Sequence, residues 1–188
     1  MTMMTFRFKK LLSLVFLLFS LSTLVGQQIY GLSTEWNDSF TEWIIYGEDE
    51  DQDGTLEMRW PLRNDWTEWD WDFADIRGEF YMRRPTDPEA WEGSGDGVIV
   101  EGRTVWPGDR GRWVVVSGDI RVEIRTRYTG IADEWIVDDQ KYGKLRLFTD
   151  WEGDPRDWII EDELSEEVHV VVKLFMIHIA LMQSIPKL

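Results

Sequence analysis

Hydrophobic and polar residues alternate with a period of two along much of the chain between residues 30 and 162. From Ile120 to Tyr128, an apolar or uncharged side chain occupies every second position, and Arg or Glu occupies the positions between. The segments Leu56–Trp60 and Trp69–Phe73 show the same alternation. This period is typical of β-strands that bury one face and expose the other. The pattern therefore predicts a mainly β protein.

Tryptophan residues mark a repeat within this region. A first series has members 22 residues apart, except for a final interval of 23 and an initial interval of 26. Its members are Trp43, Trp69, Trp91, Trp113, Trp135 and Trp158. A second series stands seven residues before the first, at Trp36, Arg84, Trp106, Tyr128 and Trp151. A unit of this length is too short for two helices but fits one β-hairpin, so each unit is predicted to supply two strands.

Turn-forming residues separate the predicted strands. Within the units they are Asp53-Gly54, Asp96-Gly97 and Gly118-Asp119, and such pairs favour tight hairpins. Prolines fall in the links between units, where no ladder donor is needed. One strand before Trp43, five units and one strand from Trp158 give 12 strands over about residues 30–162. The glycine-rich segment Glu92–Gly97 is either a strand or a loop.

Residues 165–183 follow a different pattern. The only polar residues between positions 168 and 182 are His169, Lys173 and His178. A helix here is apolar on every side, so it must be surrounded by other parts of the chain, and Ser165 is a suitable N-cap. A 12-stranded barrel is too wide for its own side chains to fill. The sequence therefore predicts a 12-stranded antiparallel up-and-down β-barrel of 22-residue hairpin repeats, closed around this hydrophobic C-terminal α-helix.

Twelve antiparallel strands around a hydrophobic C-terminal helix resemble the tubby-like barrel. This architecture is shared by the tubby C-terminal domain, phospholipid scramblases and a plant defence-related family. The resemblance covers residues 30–185 and rests on the number of strands, the tryptophan series and the position of the helix. It implies the fold and an association with lipid, because tubby proteins bind phosphoinositides through basic residues. No basic lipid-binding set of that family maps onto this acidic chain, so no family site residue is transferred.

The first 26 residues are predicted to be a cleaved secretory signal peptide. They contain a positive segment, an apolar run of 15 residues from Leu11 to Val25, and a small residue at Gly26, which is the usual order of such signals. A membrane anchor is the alternative, but a membrane-spanning helix needs roughly 20 residues. Residues 27–188 are then a single domain of a secreted or periplasmic protein.

Composition narrows the classes of function. The chain has 36 acidic and 20 basic residues, a net charge of −16 and no cysteine. This charge argues against nucleic-acid binding and disfavours docking on anionic lipid. Hydrolytic chemistry lacks candidates, because there is no G-x-S-x-G motif, no cysteine nucleophile, and both histidines lie in the predicted buried helix. We therefore expect a non-enzymatic protein with no catalytic residue and no cofactor.

Two segments contain residues of the types that bind metal ions. Asp49, Asp51 and Asp53 precede Gly54 in the way that a calcium loop begins, but Trp60 stands where that loop needs a bidentate Glu. A solvated hairpin turn is therefore favoured. His169 and His178 are nine residues apart and do not share a helix face, so zinc binding is not predicted.

Trp66 is the candidate ligand-binding residue, because it lies outside both tryptophan series. It stands in the link Pro61–Glu68, beside Asn64, Asp65 and Asp70. An exposed tryptophan among such polar residues can stack on a sugar ring. The alternative is that Trp66 caps one end of the barrel.

The predicted function is a non-enzymatic binding or scaffold domain whose ligand the sequence does not identify. One alternative is a carbohydrate-binding domain that uses exposed tryptophans in the links. A second alternative is a lipid- or membrane-associated protein, which requires a basic patch. The outward arginines available for such a patch are Arg59, Arg103, Arg121, Arg125 and Arg127. The Glu-x-Arg pairs that contain some of them are predicted to form cross-strand ion pairs.

Overall fold

Twelve antiparallel strands and one helix make up the protein in its computed structural model, which describes residues 27–186. The strands are β1 (Gly31–Thr34), β2 (Glu42–Tyr46), β3 (Gly54–Trp60), β4 (Asp65–Phe73), β5 (Ile76–Met82), β6 (Ala90–Gly95), β7 (Val98–Thr104), β8 (Arg112–Ser117), β9 (Ile120–Tyr128), β10 (Ile131–Asp139), β11 (Gly143–Trp151) and β12 (Asp154–Leu164). The helix, α1, spans Val170–Ser184. Each strand pairs with its neighbours in sequence, and β1 pairs with β12 to close the barrel. The predicted barrel with a C-terminal helix is confirmed, and the predicted signal peptide lies outside the described residues.

The two ends of the barrel differ in their connections. At the turn end lie the connections that follow each even-numbered strand, such as the two-residue turn Asp96-Gly97 between β6 and β7. Both residues of this turn have positive φ, 47° and 74°, which matches the right-handed twist of the flanking strands. At the link end lie the links that precede each even-numbered strand, at residues 35–41, 61–64, 83–89, 105–111, 129–130 and 152–153.

The first tryptophan series points into the barrel. Its six members have exposed fractions of 0–3%. In each case the indole N–H donates to the backbone carbonyl three residues earlier, at 2.8–3.3 Å. A buried indole N–H needs an acceptor, and these carbonyls lie where the strand ladder is interrupted. This indole–carbonyl contact therefore marks where each even-numbered strand begins to pack against the interior of the barrel.

In three of the six cases, a β-bulge explains why the carbonyl that accepts from the indole N–H is not used in the strand ladder. In β4, residues 66–68 lie opposite the single residue Arg59 of β3. The same three-against-one arrangement sets residues 132–134 of β10 opposite Arg127, and residues 155–157 of β12 opposite Asp150. A bulge removes backbone groups from the ladder. In each bulge, the indole N–H of the tryptophan that follows replaces the missing backbone donor. It donates to the carbonyl of the first bulge residue.

Helix α1 occupies the interior of the barrel. Every residue from Val170 to Met182 is buried, on all faces of the helix. It runs from the turn end, where His169 Nε2 lies 3.4 Å from Asp96 Oδ2, to the link end, where Trp135 Nε1 donates to Ser184 Oγ at 3.0 Å. The predicted enclosure of the helix is confirmed, because only a surrounded helix buries every face.

The helix begins five residues later than predicted. His169 is its N-cap, and its Nδ1 accepts from the Val171 N–H at 3.3 Å. Ser165 forms a turn after β12 instead, because its Oγ accepts from the Glu167 N–H at 3.2 Å and its carbonyl accepts from the Val168 N–H at 2.9 Å. This turn carries the chain from the wall into the interior before the helix starts.

The glycine-rich segment left open between strand and loop forms the regular strand β6. Its inward positions Gly93 and Gly95 face large aromatic neighbours, so that an added Cβ would lie 2.4 Å from Phe80 Cδ1 and 2.4 Å from Trp71 Cζ2, respectively. Gly102 of the next strand likewise leaves room for Phe175 of α1. Strand interiors usually disfavour glycine, except where another group approaches closely. Aromatic rings from the wall and the helix therefore fill the volume that these strands leave empty.

One ion pair lies inside the barrel. Lys173 Nζ of α1 donates to Asp162 Oδ2 of β12 at 2.7 Å, and the two side chains are 5% and 2% exposed. The Leu164 N–H also donates to Asp162 Oδ1, at 3.1 Å. The pair thus ties the helix to the last strand. Among residues 27–186, no helix has the length and apolar character needed to cross a membrane.

Candidate binding surface at the link end

The second tryptophan series is exposed at the link end. The exposed fractions are 55% for Trp36, 65% for Trp106, 52% for Tyr128 and 70% for Trp151. A residue seven positions before an inward tryptophan lies at the rim or in a link, so the wall does not cover it. The two series therefore have opposite roles, since one forms the core and the other forms a surface.

Four exposed aromatic residues occupy consecutive links. Trp106, Tyr128, Trp151 and Trp36 stand at the links before β8, β10, β12 and β2, and these links are neighbours because β12 pairs with β1. We call this set the aromatic arc. Adjacent links are two strands apart, which is roughly 10 Å at the usual spacing of strands. An elongated ligand can therefore contact more than one member.

A hydrogen bond and a cation hold two of the four arc rings in place. Trp36 Nε1 donates to Glu42 Oε2 at 2.9 Å, and the guanidinium of Arg127 lies 5.5 Å from the ring centroid of Tyr128. Just outside the arc, Trp60 Nε1 donates to Glu68 Oε2 at 3.2 Å. These contacts orient Trp36 and Tyr128 while about half of each side chain stays accessible. Aromatic side chains held in this way bind at a low entropic cost.

A cleft of about 590 Å³ lies between the link before β8 and the link before β10. Four arginines line it, and Asp109 is the only acidic residue among its lining residues. The arginines are Arg110, Arg112, Arg125 and Arg127. We call this the basic cleft. The bulge of β10 borders the cleft, since residues 132–134 lie opposite Arg127 and both Ala132 and Arg127 belong to the lining.

Carboxylates neutralise two of the four arginines. Arg112 Nε donates to Glu123 Oε1 at 2.7 Å, and Arg127 donates to Glu134 at 2.6 Å. Arg112 and Arg125 are direct cross-strand partners, an arrangement of like charges that destabilises a sheet. Among the described residues, Arg110 and Arg125 form no ion pair, and both are exposed. The basic cleft therefore holds positive charge without a partner in a strongly acidic protein.

Glu134 lies within the β10 bulge and joins two arginines. Its Oε1 accepts from Arg127 and from Arg146, at 2.6 Å each. Burial alone raises the pKa of the Glu134 carboxyl, but the hydrogen bonds from Arg127 and Arg146 outweigh that effect and hold the pKa below the usual 4.5. Glu134 is therefore ionised at neutral pH and fastens the bulge to β9 and β11.

We expect acid to release this fastening. Since the folded pKa of Glu134 lies below the usual 4.5, its contribution to stability is complete above that value and is lost as the pH falls through the folded pKa. The variant Glu134→Gln should be less stable by about 1–2 kcal/mol at pH 7. Urea denaturation should show that the difference in stability between the two proteins shrinks as the pH falls below 4.5. The exposed Glu166, changed to Gln, is the control and should follow the parent protein at every pH. A constant difference between parent and Glu134→Gln would contradict the assignment.

A second cleft, of about 560 Å³, adjoins the first and is mostly apolar. Phe40, Pro155, Trp158 and Ile185 contribute to its lining. The segment Gly130–Ala132 lines both clefts and so forms the partition between them. We call this the apolar cleft. Tyr128 stands two residues before the partition, so one ring of the aromatic arc is close in sequence to both clefts.

Trp66, the ligand-binding candidate of the sequence, lies beside this surface in the β4 bulge. It is partly buried and packs on Trp69, with ring centroids 5.8 Å apart, and its Nε1 donates to Asn64 Oδ1 at 2.6 Å. Trp66 therefore covers the core near the rim and presents less of its ring than the arc residues do. The arc residues are the better platform for a ligand.

The acidic loop before β3 forms a short 3₁₀ turn at Glu50–Gln52. Asp49, Asp51 and Asp53 are exposed, and Asp53 Oδ1 accepts from the Gly47 N–H at 2.9 Å. This loop lies at the turn end, away from the aromatic arc. Within residues 27–186, no group of three or more His, Asp or Glu side chains is arranged to hold a metal ion.

The two histidines are placed as parts of the barrel interior and its rim. His178 is fully buried among aromatic rings, with centroid distances of 4.7 Å to Trp91, 5.0 Å to Phe80 and 5.5 Å to Trp69. His169 caps the helix at the turn end. Neither histidine lies in either cleft, so the binding surface contains no imidazole.

The outward arginines divide into two groups. Arg59 contacts Glu68, Asp70 and Glu79 and is fully engaged on the outer wall. Arg103 and Arg121 are exposed and form no ion pair among the described residues. In each Glu-x-Arg segment, only one of the two residues forms an ion pair among the described residues, and its partner lies outside the segment, as with Arg59, Glu101 and Glu123.

Sequence reasoning missed the clefts and the importance of the second tryptophan series. The series was visible as an interval, but the interval alone does not say which series is exposed. Arg110 and Arg112 stand in and after a link, and Arg125 and Arg127 stand one strand later. A register diagram that aligned β8 with β9 would have brought Arg112 and Arg125 together.

Comparisons of the chain with protein-family models, with curated proteins and with solved structures gave no match. The tubby-like resemblance rests on the number of strands and the enclosed helix, and it stays a prediction. Function must therefore be argued from the surface itself.

Proposed function

We propose that this protein is a non-enzymatic carbohydrate-binding domain and that the aromatic arc with its two clefts is the binding surface. The observation that carries the proposal is the exposure of four aromatic residues in consecutive links at one end of a rigid barrel. In the same units, the first tryptophan series supplies the core. The arc is therefore additional to what stability requires.

The chemistry of the arc suits a sugar chain. A sugar ring has an apolar face of C–H groups that packs on an aromatic face, and its hydroxyl groups need hydrogen-bond partners around that contact. The rim supplies such partners near the rings, as with Glu42 beside Trp36 and Asp109 in the link of Trp106. Volumes of about 590 and 560 Å³ lie within the usual range for ligand sites.

Lipid association is less well supported by the charges at this end. The link before β12 and its flanks carry Asp150, Glu152, Asp154 and Asp157, while Arg156 is bound to Asp154. Anionic lipid would be repelled from that part of the arc. The proposed location outside the cytoplasm, which rests on residues 1–26, is consistent with access to extracellular or cell-wall glycans.

Isothermal titration against a panel of neutral and acidic hexasaccharides tests the proposal. We expect at least one glycan to bind, and we expect Trp106→Ala and Trp151→Ala each to lower the affinity tenfold or more, since central aromatic contacts dominate such interfaces. The exposed Tyr30, 47% accessible on the barrel wall and away from the links, provides the matched control Tyr30→Ala. It should bind like the parent protein.

Vesicle sedimentation separates the lipid alternative. Phosphatidylcholine vesicles that retain the parent protein but not Trp106→Ala, with no glycan bound, would replace the carbohydrate proposal with the lipid one. Glycan binding that survives both tryptophan changes would move the site away from the arc.

A further inference from the structure

We infer that the basic cleft binds an anionic substituent of the sugar, so that the preferred ligand is an acidic oligosaccharide that carries carboxylate or sulfate groups. This inference rests on the proposed function and assigns a substrate class to it. It is carried by four guanidinium groups around one cleft, whose lining includes residues of the two links at which Trp106 and Tyr128 stand.

The charge of the basic cleft is opposite in sign to that of the whole protein. The chain has 36 acidic against 20 basic residues, yet the lining of the basic cleft has four arginines against Asp109 alone. Glu123 and Glu134 offset Arg112 and Arg127 from outside the lining. The C-terminus of α1 adds about half a negative charge near Gln183. The remaining balance around Arg110 and Arg125 is still positive.

The arrangement of arginines in the basic cleft lowers the stability of the sheet. Arg125 lies directly across from Arg112 in the β8–β9 ladder, and opposed like charges destabilise a sheet. Glu123 relieves Arg112 through two hydrogen bonds, at 2.7 and 3.0 Å, whereas Arg125 has no carboxylate partner among the described residues. Violations of this kind are expected where a protein binds a ligand. An anion in the cleft would supply the missing negative charge.

Residues of the aromatic arc lie close in sequence to arginines of the basic cleft. Arg110 follows Trp106 in one link, and Arg125 precedes Tyr128 on the strand that ends at the next link. Arg127, which also lines the cleft, has its guanidinium 5.5 Å from the ring centroid of Tyr128. A guanidinium binds a carboxylate or a sulfate through two parallel N–H donors. We therefore expect a sugar that stacks on Tyr128 to direct an acidic group toward the arginines.

The test uses three probes on the full mature chain: an oligogalacturonate, its fully methyl-esterified form, and a sulfated dextran oligosaccharide. They carry carboxylate, no charge and sulfate, respectively. We expect an acidic probe to bind at least tenfold more tightly than the methyl ester, with an affinity that falls as salt rises. Whichever acidic probe binds more tightly identifies the anion. Arg110→Gln and Arg125→Gln should each remove most of the preference.

Arg121→Gln is the matched control, because Arg121 is exposed on the same strand as Arg125 and lies outside the basic cleft. It should leave the preference unchanged. Equal affinities for acidic and neutral probes that still depend on Trp106 would overturn this inference and keep the proposed function. Failure of both acidic probes to bind, or an equal loss in Arg121→Gln, would also overturn it. Binding that ignores Trp106 altogether would count against the proposed function itself.

Discussion

Lys173→Met should lower the free energy of unfolding by about 3–5 kcal/mol, one of the two largest effects that we expect. The substitution keeps most of the side-chain volume but leaves Asp162 without its cation, and the Asp162 side chain is 2% exposed. An unpaired carboxylate in that position has no water to replace the lost partner. Urea denaturation at neutral pH measures the loss.

The double variant Lys173→Met/Asp162→Asn separates the charge from the packing. The new amide can still accept from the Leu164 N–H, as Asp162 does at 3.1 Å, so the double variant should regain at least half of the stability that the single variant loses. Arg77→Met is the surface control, since Arg77 pairs with Asp72 while 86% exposed, and it should change stability by less than about 1 kcal/mol. Equal losses in the single and double variants would show that the pair is not what Lys173 contributes.

Gly78→Ala should be the second severe change, and it should prevent the wall from closing normally. A Cβ at residue 78 would lie 2.0 Å from the Ser94 carbonyl oxygen and 2.4 Å from Trp71 Cζ2. The backbone of β6 cannot withdraw without breaking its ladder to β5. We expect a loss of about 3 kcal/mol or more, or failure to fold, because overpacking against backbone cannot be relieved by a rotamer change.

Gly97→Ala provides the comparison for the same chemical change. Gly97 has a φ of +74°, and nothing lies within 4 Å of the position that its Cβ would take. Only the left-handed backbone is strained by the methyl group, at about 1 kcal/mol. Thermal and urea unfolding of both variants should therefore rank Gly97→Ala close to the parent and Gly78→Ala far below it. The reverse order would refute the packing described for β5 and β6.

The fold was predictable because two periods in the sequence follow from the geometry of β-structure. The alternation around Ile120–Tyr128 follows from the pleat of a strand, and the tryptophan interval follows from the length of one hairpin. A helix over residues 168–182 is apolar on every face. In a chain of this size, such a helix is shielded from water by being enclosed within the rest of the protein. Each inference used a local pattern that the tertiary structure does not override.

The start of the helix was less predictable. Ser165 has the chemistry of an N-cap, but so has any serine that forms a turn. The choice between Ser165 and His169 depends on how far the chain must travel from the end of β12 to enter the barrel. The strand character of β6 was also undecided, because Gly93 and Gly95 are small to make room for Phe80 and Trp71 rather than for a turn.

The binding surface was the least predictable part. Trp66 stands out in the sequence because it lies outside both tryptophan series, whereas Trp106 and Trp151 belong to the second series, whose interval alone does not show that it is exposed. Their exposure depends on where the wall ends, which is a property of strand register. The basic cleft depends on register even more, since Arg112 and Arg125 meet only across the β8–β9 ladder and the β10 bulge sets residues 132–134 opposite Arg127.

The position of α1 in the chain fixes the order in which the fold can be completed. Helix α1 follows all twelve strands, so synthesis from the N-terminus delivers the whole wall before the helix that fills it. Until then, the inward rings of the first tryptophan series have nothing to pack on at the centre, and the open wall is prone to association with other chains. A product cut before residue 170 therefore has every strand but lacks the helix that fills the barrel, so it cannot exclude water from its interior.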